Sequence, residues 1–206
     1  MKNFLTIEGC EGVGKTYHTR RLKQYCIDNG VDAIFTREPG GSEVAEKIRK
    51  VILDSANVKM TDWCEAFLYC ASRVQHLEEI VAPALKEGKI VFCDRFVDSS
   101  YAYQGMGRGL GMQKVMDLNA LAVGEYMPEY TLFLNLDPHS AFKRKGGADK
   151  NDRMELMNID FHQKVYDAYC LLAQKYPERY IVIDASGSKD ETFGQIIEQL
   201  KKRKVL

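Results

Sequence analysis

The segment FLTIEGCEGVGKT, residues 4–16, decides the fold of this chain. Residues 4–8 have the apolar character of a buried strand, and residues 9–16 match the pattern G-x-x-x-x-G-K-[ST]. The glycines allow successive backbone N–H groups to point into one concavity, and a helix that begins at Lys15 adds partial positive charge. A strand, a glycine-rich turn and a helix in this order predict a phosphate-binding loop.

The loop predicts which side chains contact a nucleotide. Lys15 is expected to reach the β- and γ-phosphates, and Thr16 to ligate Mg²⁺. A GTP-binding switch and a phosphotransferase both use such a loop, but the sequence has no N-K-x-D guanine reader, which favours the phosphotransferase. The residues predicted to bind ATP are Gly9, Cys10, Glu11, Gly12, Val13, Gly14, Lys15 and Thr16.

Four further apolar runs follow along the chain, each separated from the next by segments with helical spacing. Strands that are apolar on both faces are typical of a parallel sheet covered by helices. We therefore predict an α/β fold in which helices cover both faces of a doubly wound parallel sheet of about five strands, as a single domain over residues 1–206. The four runs are VDAIFT (31–36), KIVFCD (89–94), TLFLNL (131–136) and RYIVID (179–184).

Helices are predicted at Lys15–Asn29, Glu43–Leu53 and Asp62–Glu87. In the long third helix, the letters DWCE at its start suggest a capping box, and Gly88 is a stop signal. Pro83 lies inside this helix and is expected to kink it, because proline lacks the amide hydrogen that a helix needs.

Composition limits the classes of function. The 206 residues are 45% hydrophobic and 28% charged with zero net charge, which argues against a general nucleic-acid-binding protein. We find no apolar run of the roughly 18 residues that a membrane-spanning helix needs and no signal peptide, so no membrane partner is expected. Six scattered cysteines without a C-x-x-C pair suggest free thiols in a reducing cytoplasm.

A basic, glycine-containing segment lies at residues 143–153 (KRKGGADKNDR). The phosphate loop carries no arginine, although phosphoryl transfer needs cations around the transferred group. We therefore predict a lid at about residues 144–153 that delivers Arg153 to ATP. Lys143, Lys145 and Lys150 are interpreted as a solvated helix end.

Other basic and polar residues follow the predicted strands. Arg37 and the pair Asp94-Arg95 follow the second and third strands, at the sheet edge where α/β proteins bind ligands, and Arg49 lies on the next helix. Tyr69 and Arg73 are four residues apart and share a helix face, so they could stack on a base and bond its edge; a core tyrosine is the alternative. The polar segment DRFVDSSYAYQGMGRG (94–109) follows a buried strand at the edge facing the phosphate loop, so we expect it to form part of a binding pocket and not a polar surface loop, with glycines after Gln104 turning the chain away.

Over essentially its full length the chain resembles bacterial thymidylate kinases. The resemblance rests on IEGCEGVGKT, FTREPGGSEVAEKIRK, LYCASRVQH, CDRFVDSSYAYQG, GRGLG and DRME with FHQKVYDAY, in this order. It implies a five-stranded parallel sheet with a short lid, a homodimer, and the reaction of ATP with dTMP to give ADP and dTDP with Mg²⁺. The alternatives are another nucleoside monophosphate kinase, a deoxynucleoside kinase, or a non-catalytic nucleotide-binding regulator.

The resemblance also implies a role for each matching residue. For the base and sugar, Tyr69 stacks on thymine, Arg73 bonds its carbonyl edge, Ser100 and Gln104 meet its polar edge, and Tyr103 lies against the deoxyribose. For the phosphates, Arg37, Arg49 and Arg95 hold the monophosphate, Asp94 orients Mg²⁺, and Glu11 approaches the 3′-hydroxyl or water around the metal. The non-basic phosphate loop resembles the subgroup with a lid arginine, and the implied catalytic residues are Lys15, Arg95, Arg153, Asp94 and Glu11.

Overall fold

A computed structural model describes residues 2–145, 153–154 and 156–206 of the chain. The five strands in these ranges form one parallel sheet in the order β2-β3-β1-β4-β5, which confirms the predicted α/β fold. No helix in these ranges is both long and apolar enough to span a membrane. The strands are β1 (Phe4–Glu8), β2 (Ala33–Arg37), β3 (Ile90–Asp94), β4 (Tyr130–Asn135) and β5 (Tyr180–Asp184).

Helices connect and cover the strands. Two π-helical segments, Leu77–Val81 and Tyr101–Gly107, each continue an α-helix without a break. The α-helices are α1 (Lys15–Asp28), α2 (Glu43–Leu53), α3 (Asp62–His76), α4 (Ala82–Lys86), α5 (Val97–Ser100), α6 (Met112–Val123), α7 (Pro138–Lys145), α8 (Ile159–Lys175) and α9 (Lys189–Lys202).

Strand β1 lies at the centre of the sheet and is buried along its whole length. Its Leu5 pairs with Phe92 of β3 on one side and with Tyr130 of β4 on the other. Strands β2 and β3 lie on one side of β1, and the later strands β4 and β5 lie on the other. The sheet therefore has its topological switch point at β1. The glycine-rich loop leaves the carboxyl end of this strand and therefore lies where open α/β sheets bind ligands.

The start of α3 differs from the prediction. Its N-cap is Thr61, whose hydroxyl accepts a hydrogen bond from the Cys64 amide, and not Asp62 as the capping-box interpretation required. Glu65 has no exposed surface and its carboxylate binds other side chains. The capping-box prediction was wrong because this carboxylate contributes to tertiary structure and not to the helix terminus.

The predicted 62–87 helix is continuous, but a π-helical turn and not a simple kink divides its two α-helical parts. The π-helical turn at residues 77–81 precedes α4, and Pro83 occupies the first turn of that helix, where a missing amide hydrogen costs little. Gly88 has a φ of 79° and ends the helix as predicted.

The segment 94–109 is helical for most of its length, from Val97 to Gly107. Its helix, α5 with the π-helical segment 101–107, packs against α8. A Cβ added to Gly107 would lie 2.7 Å from Phe161, and one added to Gly105 would lie 3.0 Å from the Met112 backbone. These two glycines permit close packing of helices, and the chain turns only at Gly109 and Gly111, which have positive φ angles.

Candidate active site

The phosphate loop is shaped by its glycines. Gly9 has a φ of 144°, and a Cβ there would lie 2.8 Å from the Leu134 carbonyl of the neighbouring strand. Gly14 is left-handed and precedes the first residue of α1. Cys10 and Val13 are buried in the core, so only the backbone of these two positions is available to a phosphate.

Lys15 lies at the start of α1 and its ammonium points back across the loop. Nζ donates to the carbonyl oxygens of Gly9 at 3.0 Å and of Cys10 at 2.8 Å. Burial, followed by the charge of Arg95, lowers the pKa of Lys15 from its usual value. A buried ammonium held beside backbone amides is suited to binding anionic oxygen, which would stabilise its charge.

Arg95 follows β3 and spans the space between the loop and the π-helical segment 101–107. Its Nη1 donates to the Gly9 carbonyl at 3.1 Å, its Nη2 forms an ion pair with Glu11, and its guanidinium lies 5.0 Å from the ring centroid of Tyr103. Burial opposes the charge, but Glu11 together with Tyr103, Tyr169 and Asp94 outweighs burial and raises the pKa of Arg95. The Tyr103 hydroxyl also donates to Glu11, at 3.4 Å, so these three side chains form one group.

The buried carboxylate of Glu8 is hydrogen-bonded to residues that adjoin this group. It accepts hydrogen bonds of 2.7 Å from the Phe96 amide, the Ser99 hydroxyl and the Tyr169 hydroxyl. Ser99 in turn accepts from Arg95 at 3.3 Å. Burial, with a smaller contribution from the Asp98 charge, raises the pKa of Glu8 to about 7. Glu8 was not predicted as a site residue, because a single acidic residue at the end of a strand belongs to no recognisable motif.

Arg73 is the largest fully buried side chain, with 1% of its surface exposed. Nε donates to Glu38 at 2.9 Å, Nη2 to Ser100 at 3.2 Å, and Nη1 to Asn119. Glu38 and Asn119 were not predicted as site residues from the sequence. Glu38 lies directly after the predicted arginine at position 37, a position that could have been noticed, whereas Asn119 on α6 has no sequence signal.

Gln104 and Arg153 meet at Glu65. The Gln104 amide nitrogen donates to Glu65 at 2.8 Å, and Arg153 donates to the same carboxylate at 2.5 Å. The backbone and side chain of Arg153 also donate to the carbonyls of Leu53 and Ile52 at the end of α2. In the described part of the chain, Arg153 is therefore held between the end of α2 and Glu65 of α3.

Most of the predicted lid lies outside the described residues: 146–152, including Lys150, are not described. Arg144, at the end of α7, donates to the carbonyl of Ala185 at 2.6 Å and also to that of Ser186. The sequence analysis gave Arg144 no specific role. Its guanidinium lies against the loop that follows β5, at the same edge of the sheet as the phosphate loop.

Two arginines lie near the end of β2. The Pro39 carbonyl accepts from Arg37 at 3.1 Å and from Arg49 at 2.8 Å, and Arg37 also pairs with Glu46 of α2. The fixed Pro39 carbonyl therefore brings together two guanidinium groups from different elements.

A metal could be held beside Lys15. Oδ1 of Asp94 is buried and has no hydrogen-bond partner among the described residues, and both Asp94 and Thr16 line the cavity described below. The described residues contain no group of three or more His, Cys, Asp or Glu that could enclose a metal. One unsatisfied carboxylate oxygen and one hydroxyl fit Mg²⁺, which typically binds one or two protein oxygens and completes its shell with phosphate and water.

One cavity of about 600 Å³ connects these groups. The phosphate loop forms one end and the Arg73 and Gln104 side chains form the other, with Arg37, Arg49 and Arg95 also in its wall. Of the predicted site residues, the cavity is lined by Glu11, Gly12, Gly14, Lys15, Thr16, Arg37, Arg49, Tyr69, Arg73, Asp94, Arg95, Tyr103 and Gln104. Gly9, Cys10, Val13, Ser100 and Arg153 do not line the cavity. Met154, which follows Arg153 in the sequence, does line it.

Comparisons with known proteins agree with this geometry. Residues 7–196 match the sequence profile of the family described as thymidylate kinase. The thymidylate kinase of Finegoldia magna is 48% identical over 98% of this chain and 100% of its own length, and that of Clostridium novyi is 46% identical over 96% and 98%. The crystal structure of thymidylate kinase from Ehrlichia chaffeensis superposes with a TM-score of 0.77 at 30% identity, covering 96% of this chain and 97% of that one.

Proposed function

Because the chain belongs to the thymidylate kinase family, we propose that it transfers the γ-phosphoryl group of ATP to dTMP, giving ADP and dTDP. The observation that carries this proposal is a cavity that joins a phosphate loop to a set of buried polar side chains and has four arginines in its wall. A phosphorylated acceptor accounts for several arginines that line one cavity, because guanidinium groups bind phosphate oxygens well, whereas a bare nucleoside presents no anionic oxygen to them.

The transfer needs no covalent enzyme intermediate. A phosphate oxygen of dTMP attacks the γ-phosphorus while the bond from that phosphorus to the β–γ bridging oxygen breaks, and ADP departs with the bridging oxygen. The attacking oxygen is already anionic, so no strong general base is required. Catalysis then depends on alignment and on cations near the transferred group, which Lys15 and Arg95 supply.

We assign the phosphate of dTMP to the arginines that line the cavity. Its nucleoside is assigned to the end of the cavity formed by Arg73 and Gln104. Arg37, Arg49 and Arg95 hold the monophosphate, which is supported by the Pro39 carbonyl that fixes the first two. Tyr103 and Glu11 lie against the sugar, which is consistent with their shared contact with Arg95. The base stacks on Tyr69, and its polar edge meets Arg73, Ser100 and Gln104.

Mg²⁺ fits the oxygens of Thr16 and Asp94, with the buried Oδ1 of Asp94 as the supporting observation. When bound, the ion neutralises charge on the ATP phosphates. Asp94 also precedes Arg95, so one turn of chain holds both a metal ligand and a phosphate-binding cation.

Arg153 remains the proposed lid arginine of this enzyme, and its contacts favour a second role. An arginine bound to Glu65 and to the end of α2 anchors the chain on the acceptor side. Kinetics of Arg153→Ala separate the two roles: loss of kcat indicates a contact with the transferred group, and a raised KM for dTMP indicates anchoring.

We also propose a homodimer in the cytoplasm. The dimer is supported by an exposed apolar face on α3 formed by Trp63, Phe67 and Val74, residues whose spacing places them on one side of the helix. The location is supported by the cysteines, all six of which are free.

The decisive experiment is a coupled ADP-release assay with dTMP, dUMP, dCMP, dGMP and thymidine as acceptors. We expect the highest kcat/KM with dTMP and little turnover of thymidine. Strong turnover with another acceptor alone would overturn the substrate assignment. No turnover with any acceptor would favour a regulator.

A further inference from the structure

We propose that Glu65 is a positioning residue that holds the Gln104 side-chain amide in one of its two orientations, with the amide oxygen towards the cavity. In this orientation the site presents a hydrogen-bond acceptor to the base, and therefore selects a ring that carries an N–H donor, as thymine does at N3, over one that carries a lone pair there, as cytosine does. This inference rests on the proposed function and adds a residue to its specificity.

The hydrogen bonds of Glu65 fix the position of its carboxylate. The side chain is 0% exposed, and its carboxylate accepts four hydrogen bonds. Oε1 accepts from Gln104 at 2.8 Å and from Nε of Arg108 at 3.2 Å, and Oε2 accepts from Nη2 of Arg108 at 2.8 Å and from Arg153 at 2.5 Å. Two guanidinium groups thus hold the carboxylate from α3 in place.

The charge of Glu65 fixes which atom of Gln104 faces it. Burial alone raises the pKa of a carboxyl, but the hydrogen bond and charge of Arg108, with Gln104 and Arg153, outweigh burial and lower the pKa of Glu65. An ionised carboxylate can only accept hydrogen bonds, so the Gln104 atom beside it must be the amide nitrogen. The same orientation could not be assigned from the shape of the amide, whose oxygen and nitrogen ends are alike.

The amide oxygen is therefore the end left for a ligand. Gln104 lines the cavity, and among the described residues only the nitrogen of its side-chain amide is hydrogen-bonded. Rotating the amide by half a turn would place its oxygen against Glu65 and leave two acceptors facing each other in a buried site, which is strongly unfavourable. Glu65 does not line the cavity, so its proposed effect on the base passes through Gln104.

The test is Glu65→Gln, which keeps the shape and lets the pair of amides adopt either orientation. We measure kcat/KM for dTMP and for dCMP, with Glu79→Gln as a matched control, since exposed Glu79 accepts from the Gln75 amide at 3.0 Å away from the cavity. We expect the dTMP-to-dCMP ratio to fall about tenfold in Glu65→Gln, the effect of one misdirected hydrogen bond, and to stay unchanged in Glu79→Gln.

An unchanged ratio in folded Glu65→Gln would overturn the inference, even if both substrates were turned over more slowly. Failure of the proposed function is distinguishable, because it would appear as a lack of dTMP turnover in the unmodified enzyme.

A second measurement uses the unmodified protein, in case Glu65→Gln does not fold. The side-chain amide protons of Gln104, assigned by NMR from their loss in Gln104→Ala, should be protected from hydrogen exchange before dTMP is added. Protection that arises only on adding dTMP would mean that the amide nitrogen faces the base, and would contradict the proposal.

Discussion

Single residues at the mouth of the phosphate loop carry the proposed chemistry, and Lys15 is the clearest case. Lys15→Ala should lower kcat by about 10²–10³-fold, because a charge that stabilises the transition state is lost from a buried site. The measurement is steady-state turnover of dTMP with saturating ATP. Lys23→Ala, at an exposed position of the same helix, is the control and should retain full activity. Near-normal kcat in Lys15→Ala would contradict the assignment of the loop.

Glu8 gives a prediction about pH. Its pKa is raised from 4.5 to about 7 in the folded protein, first by burial and then by the Asp98 charge, so the folded state binds more protons than the unfolded state between these values. The stability that Glu8 provides is therefore complete below about pH 4.5 and is lost as the pH rises to about 7. Glu8→Gln cannot titrate and should remove this dependence.

The measurement for Glu8 is the free energy of unfolding by denaturant between pH 4.5 and 7. Relative to Glu8→Gln, the unmodified protein should lose on the order of 1–3 kcal/mol over this range. The control Glu198→Gln removes an exposed carboxylate from α9. If the two variants show the same pH dependence, Glu8 titrates normally and burial does not raise its pKa.

At the residue scale, what the sequence predicts depends on whether a residue belongs to a local pattern. The phosphate loop and the pair Tyr69 and Arg73 are recognisable because their spacing is local, and the cavity does bring them together. Glu65 was misinterpreted as a helix cap for the same reason: a pattern within four residues was visible, and its partners Gln104 and Arg108 are about forty residues away. Contacts over such distances leave no periodic signal in a single sequence.

At the scale of elements, the helical segment 97–107 joins the two ends of the site. The preceding residue pair Asp94-Arg95 lines the cavity near the phosphate loop, while Gln104 lines it beside Arg73, to which Ser100 is hydrogen-bonded. Its polar and glycine-rich letters do not predict a helix, because glycine and serine are poor helix formers. Tertiary packing overrides that preference: the small residues let this helix approach α8 closely, and its polar side chains are satisfied by buried partners.

Gly107 tests this view of the segment. In Gly107→Ala the new methyl group would lie 2.7 Å from Phe161, so the variant should lose about 1–3 kcal/mol of stability by overpacking. Gly194→Ala is a matched control, because Gly194 also lies within a helix but has open space around it, and should be neutral or gain up to about 1 kcal/mol. Denaturant titration measures both. Equal stability changes would show that Gly107 is not required for packing.

At the scale of the whole molecule, the five strands and their parallel direction were predictable from the alternation of buried runs and helical segments, and each run lies within two residues of its strand. The order β2-β3-β1-β4-β5 was not predictable, because it depends on pairings between strands about 50 to 125 residues apart in the sequence. The order matters for function, since it puts β1 at the centre and brings the ends of β2 and β3 to the side of the cavity.

The proposed dimer is the prediction that belongs to the molecule as a whole. Trp63 and Phe67 are 41% and 58% exposed, with ring centroids 6.4 Å apart, on the helix that also carries Tyr69 and Arg73. Phe67→Glu should convert the dimer to a monomer in light scattering after size exclusion, because a central interface aromatic typically contributes about 2 kcal/mol or more.

Leu171→Glu is the control for the dimer, since Leu171 is 47% exposed on α8 and should leave the mass unchanged. Pairing of α3 with its symmetry mate would also restrain the helix that holds the base, so Phe67→Glu should raise the KM for dTMP more than it lowers kcat. An unmodified chain that remains monomeric at micromolar concentration would refute the dimer. A monomeric Phe67→Glu variant with unchanged KM would separate assembly from substrate binding.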